Sequence, residues 1–496
     1  MNVRTRAPYL TTLTAALALA LTGSLSAPAH ATVPDSVIAN DTVWKDTDGN
    51  PILAQGGNVL KVGSTYYWVG QRLVKGQPKA VNLYSSTDLE NWKFEGPILS
   101  QSGTTGPLAT GRWLGRPQLM RNPNGTFVLV VEVNDGPGGR NQMLFATSPT
   151  VDGTYTPTTQ NSVKVNGNTT GDHSVFVDGP NAYLVYIGDT STGINQTVNI
   201  ARLNADWTAV ADEPPIWSAS NSAHTEAPAI VKVGATYYLF ASGMDWWDAT
   251  PTSYRTSTAM TSAGWSQGSW QRVVTRPGSA NSFGTQFEQI IPVVGSQGTS
   301  YLYNGDRYSQ FYCDDTTKAP GGVGLNAWYP LTFEAGAPVL HGNTDVDVDV
   351  VRGKITGNRV ANGRFDQAAA GPVTNWVVKA GSSAETQESS AVPCTDRKNR
   401  QLSVYSGYVS QHLSLPNGTY ELSFDYRSSG GQKNAYVEVK NHGSTTPVRV
   451  HVNTSQYEWA TKKITFTVTS GKADLGVWAD AGGWLNIDNV SVWPTT

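Results

Sequence analysis

Residues 225–243, TEAPAIVKVGATYYLFASG, read as two strands folded back on each other at Val233-Gly234, the first arm apolar and the second aromatic. Apolar and β-branched residues bounded by a glycine turn are the pattern of a β-hairpin. The same unit recurs at Val62-Gly63-Ser64, Asn124-Gly125, Asp178-Gly179 and Ser296-Gln297-Gly298, with a period of about 60 residues and further short strands after each hairpin. Four short strands per unit at that period indicate blades of a β-propeller, five in number. The inner strand of every blade then ends at one central funnel, so polar residues far apart in sequence converge there.

The strands follow from alternation of apolar and polar residues. Blade one takes Ile52–Leu60, Tyr66–Gly70 and Ala80–Ser86; blade two Arg116–Arg121, Thr126–Val133 and Gln142–Thr147. Blade three takes His173–Val177, Ala182–Gly188 and Thr197–Leu203; blade four Ala227–Val231, Tyr237–Ser242 and Ser253–Ala259. Blade five takes Gln289–Val294, Thr299–Asn304 and Trp328–Leu331. Trp68, Trp92, Trp207 and Trp265 recur at repeat positions and are assigned to packing.

The repeat stops between Asp345 and Ala361, and a new pattern starts at Asn362-Gly363-Arg364-Phe365. Separate strands are expected at Gln401–Val404, Tyr408–Leu413, Gly418–Ser428, Ala435–Lys440, Lys462–Thr469, Ala473–Val477 and Trp484–Val492, a β-sandwich of jelly-roll type. The expected class is therefore all-β, with a signal peptide at 1–31, a propeller at 40–352 and a sandwich at 358–496.

At 496 residues the chain exceeds one ordinary core. The formal net charge of −3 excludes the basic face that nucleic acid or an anionic membrane requires and favours neutral partners. Residues 1–31 combine Arg4 and Arg6, an Ala/Leu-rich run and the ending Ala29-His30-Ala31, the pattern of a secretory signal peptide too short to span a bilayer. A secreted, soluble, monomeric protein is expected. The two cysteines, Cys313 and Cys394, make no disulfide framework; one bridge between them would staple the last blade to the downstream domain.

The segments AQGGNVL (54–60), STYYWVG (64–70), YSSTDLENWKFEGPIL (84–99), RPQLMRNPNGTFVL (116–129), DHSVFVD (172–178), TEAPAIVKVGATYYLFASG (225–243) and TQFEQIIPV (285–293) resemble glycoside hydrolase family 43. YNGDRY (303–308) and LTFEAGAPVL (331–340) extend the match to the end of the last blade. Within the family they are most similar to the galactan 1,3-β-galactosidases, or exo-β-1,3-galactanases. The segment LSLPNGTYEL (413–422) resembles the carbohydrate-binding sandwich modules appended to secreted polysaccharide hydrolases.

Inverting cleavage of a glycosidic bond needs a protonated carboxyl at the leaving oxygen and a second group that activates water from the other face. The resemblance makes Glu226 the general acid and Asp172 the carboxylate that orients it and tunes its pKa. It implies a water-polarising Asp on the first blade, but Gln55 and Gly56 occupy that segment, and Asp48-Gly49-Asn50 reads as a hairpin tip. Gln286 falls where the subgroup places a Gln; a neutral amide is a poor base, so it positions water or sugar. Glu288, on the same face by alternation, and Glu132, where the subgroup has His, stand as alternative bases. Gln55, Gln71 and Gly115 depart from the subgroup's His, Glu and Glu, which puts galactose specificity in question.

Trp113, Trp246, Trp247 and Tyr308 are candidate sugar-stacking rings. Arg116 and Arg307 are candidates to clamp hydroxyls or pair with the funnel carboxylates. His173 reads as a hydrogen-bonded core residue rather than a metal ligand. In the sandwich Trp376, Tyr405, Tyr408, Trp478 and Trp484 are candidate platforms, with at least two of them in the core. No organic cofactor is implied; a structural calcium near Asn362–Asp366 and Asp488 would suit such a module. The leading reading is an exported, exo-acting glycosidase of β-1,3-galactan or arabinogalactan. The alternatives are an arabinofuranosidase or xylosidase of the same family and a non-catalytic glycan-binding propeller.

Overall fold

The computed structural model describes residues 34–495 apart from 35, 41, 75, 135–138, 160–162, 308–324, 367–372 and 392–397. Residues 1–31, Tyr308, Cys313 and Cys394 lie outside the described residues. The chain is all-β, its single described helix being Ser262–Gln267.

Up to Asp349 the strands fall into consecutive antiparallel groups. Val59–Val62, Thr65–Arg72, Ala80–Ser86 and Lys93–Ser100 pair in chain order, as do Thr225–Val233, Thr236–Gly243, Thr252–Ser257 and Gln271–Arg272. Leu114–Arg121, Phe127–Asn134 and Asn141–Ser148 form a third group. Thr170–Asp178, Asn181–Thr190, Gly193–Arg202 and Trp217–Ser220 form a fourth, joined to the third by the Thr170 and Asn141 pair. The last group runs Gln286–Gly295, Gly298–Arg307, Leu325–Glu334 and Ala337–His341, with Val274–Arg276 added in parallel. The hairpin glycines Gly63, Gly125, Gly179 and Gly234 have φ of +63°, +98°, +61° and +59°, the region glycine enters without a Cβ clash.

One predicted strand is shorter than expected. In place of Ile52–Leu60 the ladder begins at Val59, preceded by a single bridge between Gln55 and Gln71. A Cβ on Gly57 would lie 1.8 Å from the Val69 carbonyl oxygen, so here the backbones approach too closely for regular pairing.

The first segment of the first group is tied to its counterparts in the second and fifth groups. Asn58 exchanges two hydrogen bonds with the Leu119 backbone, and Gln289 does the same with Val59, so the fifth segment returns to the first. Tryptophans reinforce that seam. Trp68 and Trp92 from the first repeat pack on Trp328 from the fifth, at ring separations of 4.9 and 5.9 Å, and Trp44 adds an edge at 5.4 Å. Trp68, Trp92, Trp207 and Trp265 are all fully buried, as their repeat positions predict. The short strand Ile38–Ala39 pairs with Asp345–Asp349, and Asn40 bonds the Trp328 backbone in both directions.

Beyond residue 358 nine strands among the described residues enclose a separate apolar cluster that includes Phe365, Trp376, Leu402, Leu422, Phe424 and Ile487. Where the sequence suggests two strands, at Gln401–Val404 and Tyr408–Leu413, one strand runs from Lys398 to Ser414. Its first half pairs with Ser383–Ala391 and Leu485–Pro494, its second with Lys472–Ala479. Gly407, at φ +97°, lets one strand change partners instead of ending. At the junction the Asn358 side chain donates to Asp345 and the Val490 carbonyl and accepts from the Val360 and Val492 amides. Arg364 pairs with Asp345 beside it.

Two expectations follow. Trp328→Ala empties the seam and should cost about 3–5 kcal/mol in chemical denaturation, the usual range for a buried tryptophan. Burial raises Glu90 to about 7 and Asp347 to about 6, with Glu90 accepting from Ser36 and the Val348 amide. Their contribution is full below the ordinary carboxylate pKa and is lost as pH rises through 6 to 7. The melting temperature of Glu90→Gln, followed by calorimetry, should therefore gain on wild type between pH 5 and 8.

Candidate active site

Each of the five inner segments spends one more residue than its partner strand at the same place. Gln55 and Val59 oppose Gln71 and Trp68; Gly115 and Gln118 oppose Glu132 and Val130; Thr170 and His173 oppose Gly188 and Tyr186. Glu226 and Ala229 oppose Ser242 and Phe240, and Phe287 and Gln289 oppose Gly305 and Asn304. A bulge breaks strict alternation and re-aims the side chains within it. Arg116, Asp172 and Glu288 lie inside bulges, and Glu226 stands at the edge of one. Pro117 and Pro228 also sit there, where no ladder bond is lost.

Arg116 and Ala227 adopt φ of +42° and +52°, a conformation costing an L-residue about 1–2 kcal/mol. Neighbours hold them. The Ala227 amide donates to Asp172 Oδ2 at 3.0 Å, and the Arg116 amide to Gln71 Oε1 at 3.3 Å. Asp172 thereby fixes the backbone one residue beyond Glu226.

These features open on a cavity of about 290 Å³ lined by Gln71, Arg116, Glu132, Asp172, Glu226, Trp246, Trp247 and Gln286. Trp113, also on the wall, packs 6.0 Å from Trp247. Arg116 is the electrostatic hub: its guanidinium reaches Glu288 at 2.8 and 3.3 Å and Asp172 Oδ2 at 3.5 Å. Burial raises the Glu226 carboxyl to about 9, with the Asp172 charge pushing the same way and Arg116 and the Asp245 amide opposing it. Glu226 therefore carries a proton at neutral pH.

Gln286 donates its amide hydrogens to the Trp246 and Asp248 carbonyls, both at 2.7 Å. It clamps the loop bearing the two tryptophans, and its oxygen is the atom left to accept from a bound hydroxyl or water.

Three expected residues are placed differently. Gln55 is wholly buried, hydrogen-bonds nothing through its amide and does not line the cavity. Glu288 is inaccessible at 1% exposure, because the bulge at its own position turns it onto Arg116. Arg307 is off the cavity wall; its guanidinium donates to the Phe283 carbonyl and the Tyr329 hydroxyl.

Arg140, Asn141 and Asn195 line the cavity without having been anticipated. Arg140 is held by both oxygens of Asp189 at 2.9 Å and by Asn195 at 3.0 Å. They lie at strand ends or within polar segments where no periodic pattern marks them. His173 is completely buried, 3.5 Å from Glu132. Among the described residues no group of three or more His, Cys, Asp and Glu side chains is placed to hold a metal ion. Asp366 and Asp488 share a cavity with Arg364, whose guanidinium pairs with Asp345.

Of the candidate platforms beyond residue 358, Trp376 is in the core against Phe365. Tyr408 and Trp478 stand in register with Tyr436 across three adjacent strands on a half-buried face, and Trp484 packs against the exposed Tyr457.

The profile of glycosyl hydrolases family 43 matches residues 49–313, more than half of the chain. The chain belongs to that family and is a glycoside hydrolase. No curated protein sequence matches it. Among solved structures it is similar to the exo-β-1,3-galactanase of Phanerochaete chrysosporium with β-1,3-galactotriose, at 23% identity and TM-score 0.58, covering 92% of this chain and all of that one. It is also similar to an exo-β-1,3-galactanase of Clostridium thermocellum, at 23% identity and TM-score 0.57, covering 90% and 98%. A family 43 β-1,3-galactosidase with galactodeoxynojirimycin, 25% identical at TM-score 0.51, covers 61% of this chain and 98% of its own.

Asp172→Asn removes the like charge beside Glu226, so the carboxyl should release its proton at lower pH. An activity that requires the protonated form is lost as pH rises through that pKa. The alkaline limb of the kcat/KM profile should move to lower pH in the variant.

Proposed function

We propose that the chain is an exported, inverting, exo-acting hydrolase of β-1,3-galactan or arabinogalactan side chains. Residues 1–31 direct export, residues 40–352 form a five-bladed propeller bearing the cavity, and residues 358–496 form a β-sandwich that holds the polymer. The protein acts as a monomer. The observation that carries the catalytic reading is Glu226, protonated at neutral pH beside a charged Asp172 on the wall of an aromatic-flanked cavity. Glu226 gives its proton to the glycosidic oxygen as the bond from the anomeric carbon breaks, and water adds to that carbon from the opposite face. Asp172 holds the Ala227 backbone and raises the acid's affinity for its proton.

Gln286 keeps the Trp246 and Trp247 loop in place and offers its oxygen to water or a sugar hydroxyl. The tryptophans supply flat apolar faces for the C–H side of a pyranose. The bonds that tie the first inner segment to the second and to the fifth support the propeller reading. Two sets of strands sharing one long strand around an apolar core support the sandwich. A sandwich that grips the polymer raises substrate concentration at the cavity.

Hydrolysis of β-1,3-galactan, arabinan and arabinoxylan, with Glu226→Gln beside wild type, tests the proposal. Galactose should be the main product from β-1,3-galactan, and proton NMR should show the α-anomer first. The variant should lose about 10²- to 10⁴-fold in rate while still binding the polymer. Release of arabinose or xylose instead would reassign the substrate, and release from none with binding retained would make the chain a glycan-binding protein.

A further inference from the structure

Arg140 is locked into the cavity wall by a frame of its own. Asp189, nearly buried, commits both oxygens to that frame. Its Oδ2 accepts from Arg140 Nε at 2.9 Å and from the Thr169 hydroxyl at 2.6 Å, and its Oδ1 from Arg140 Nη2 at 2.9 Å and the Asn195 amide at 2.8 Å. Arg140 Nη2 also donates to Asn195 Oδ1 at 3.0 Å and to the Thr170 carbonyl at 3.5 Å. Asn195 adopts φ of +53° in this arrangement, and a Cβ on Gly171 would lie 2.6 Å from its Oδ1, so an absent side chain leaves the room it occupies.

The frame also fixes the direction of the remaining donor. A guanidinium is planar and trigonal, so when Nε and Nη2 face one carboxylate, Nη1 points directly away from it. Asp189 is packed behind the cavity wall, whereas Arg140 lines the cavity with 37% of its side chain exposed. Among the described residues Nη1 donates to no acceptor. The Asp189 hydrogen bonds do most to favour the charge on Arg140, with Glu132 and Asp172 adding to them against the cost of burial. Three carboxylates thus already act on this one cation. A neutral hydroxyl oxygen suits Nη1 better than a fourth negative charge would.

We infer that Arg140 is a specificity-determining residue whose Nη1 donates to one hydroxyl of the neutral sugar bound in the cavity, an assignment that rests on the reading above that the cavity takes a sugar. Arg140 stands just before the strand Asn141–Ser148 and Glu226 on Thr225–Val233, so the sugar is gripped from a different strand group than the one that supplies the acid. Because the frame holds the guanidinium before the sugar arrives, little side-chain freedom is lost on binding. A sugar without that hydroxyl would leave the donor unanswered and bind less well. Asp189 acts through Arg140 as its positioning residue.

Arg140→Met keeps the apolar stem and removes the donors, and the double variant Arg140→Met with Asp189→Asn leaves no unpaired buried charge behind. Each is checked for a native melting temperature and assayed on 4-nitrophenyl β-galactoside and its 2-, 3-, 4- and 6-deoxy forms. Both should lose about 10- to 100-fold in kcat/KM on the parent, the range for a hydrogen bond from a charged donor, and should match wild type on the one deoxy form that lacks the partner hydroxyl. An equal loss on all five substrates marks a structural role and overturns the assignment, as does no loss on the parent. Faster cleavage of 4-nitrophenyl β-galacturonide than of the galactoside by wild type overturns it too, since the partner would then be a carboxylate. If wild type cleaves none of these and none of the polysaccharides above, the hydrolase reading fails by itself, and calorimetry with galactose decides the contact: weaker binding in both variants upholds it, and equal binding overturns it.

Discussion

A β-strand presents successive side chains to opposite faces, so a strand running outward from a central axis cannot by alternation alone aim consecutive residues at that axis. The ladder has to slip. In this chain it slips once in every inner segment, at corresponding positions, and the slips gather Arg116, Asp172, Glu226 and Glu288 from four repeats. The irregular backbone is maintained by the residues it delivers, for the Asp172 carboxylate that acts on Glu226 also bonds the Ala227 amide in its left-handed conformation. Site and scaffold are stabilised by the same contacts. A substitution at Asp172 therefore acts on geometry and charge together.

The charges at the centre are unequal in number. One guanidinium, Arg116, serves Glu288 and Asp172 at bonding distance and opposes the rise at Glu226. It lies closest to Glu288, which is almost wholly buried and would otherwise be a bare charge in a poorly solvated place. Glu226 keeps its proton chiefly because it is buried, with the Asp172 charge adding to that and Arg116 opposing it.

Much of this was legible in the residues. The glycine hairpins mark the repeats because a tight turn needs positive φ, and the tryptophans at repeat positions prove to be packing. Glu226 and Asp172 stand out through motifs that resemble family 43 rather than through any periodic signal. What could not be read was register. Alternation puts Glu288 on the face of Gln286, but the extra residue at that position turns it onto Arg116. Gln55 and Arg307 fail for a related reason, since a polar residue near the axis points into the cavity or into the packing beneath it according to a slip the sequence does not announce. Arg140 depends on Asp189, a partner 49 residues away, and no local pattern encodes that meeting.

The Asn358 clasp bears on how the two portions of the chain can move. Its side chain is fully engaged between Asp345 and the backbone of the interior strand Leu485–Pro494, with no loose tether at that point. Turning the C-terminal strands about that point would break these four hydrogen bonds.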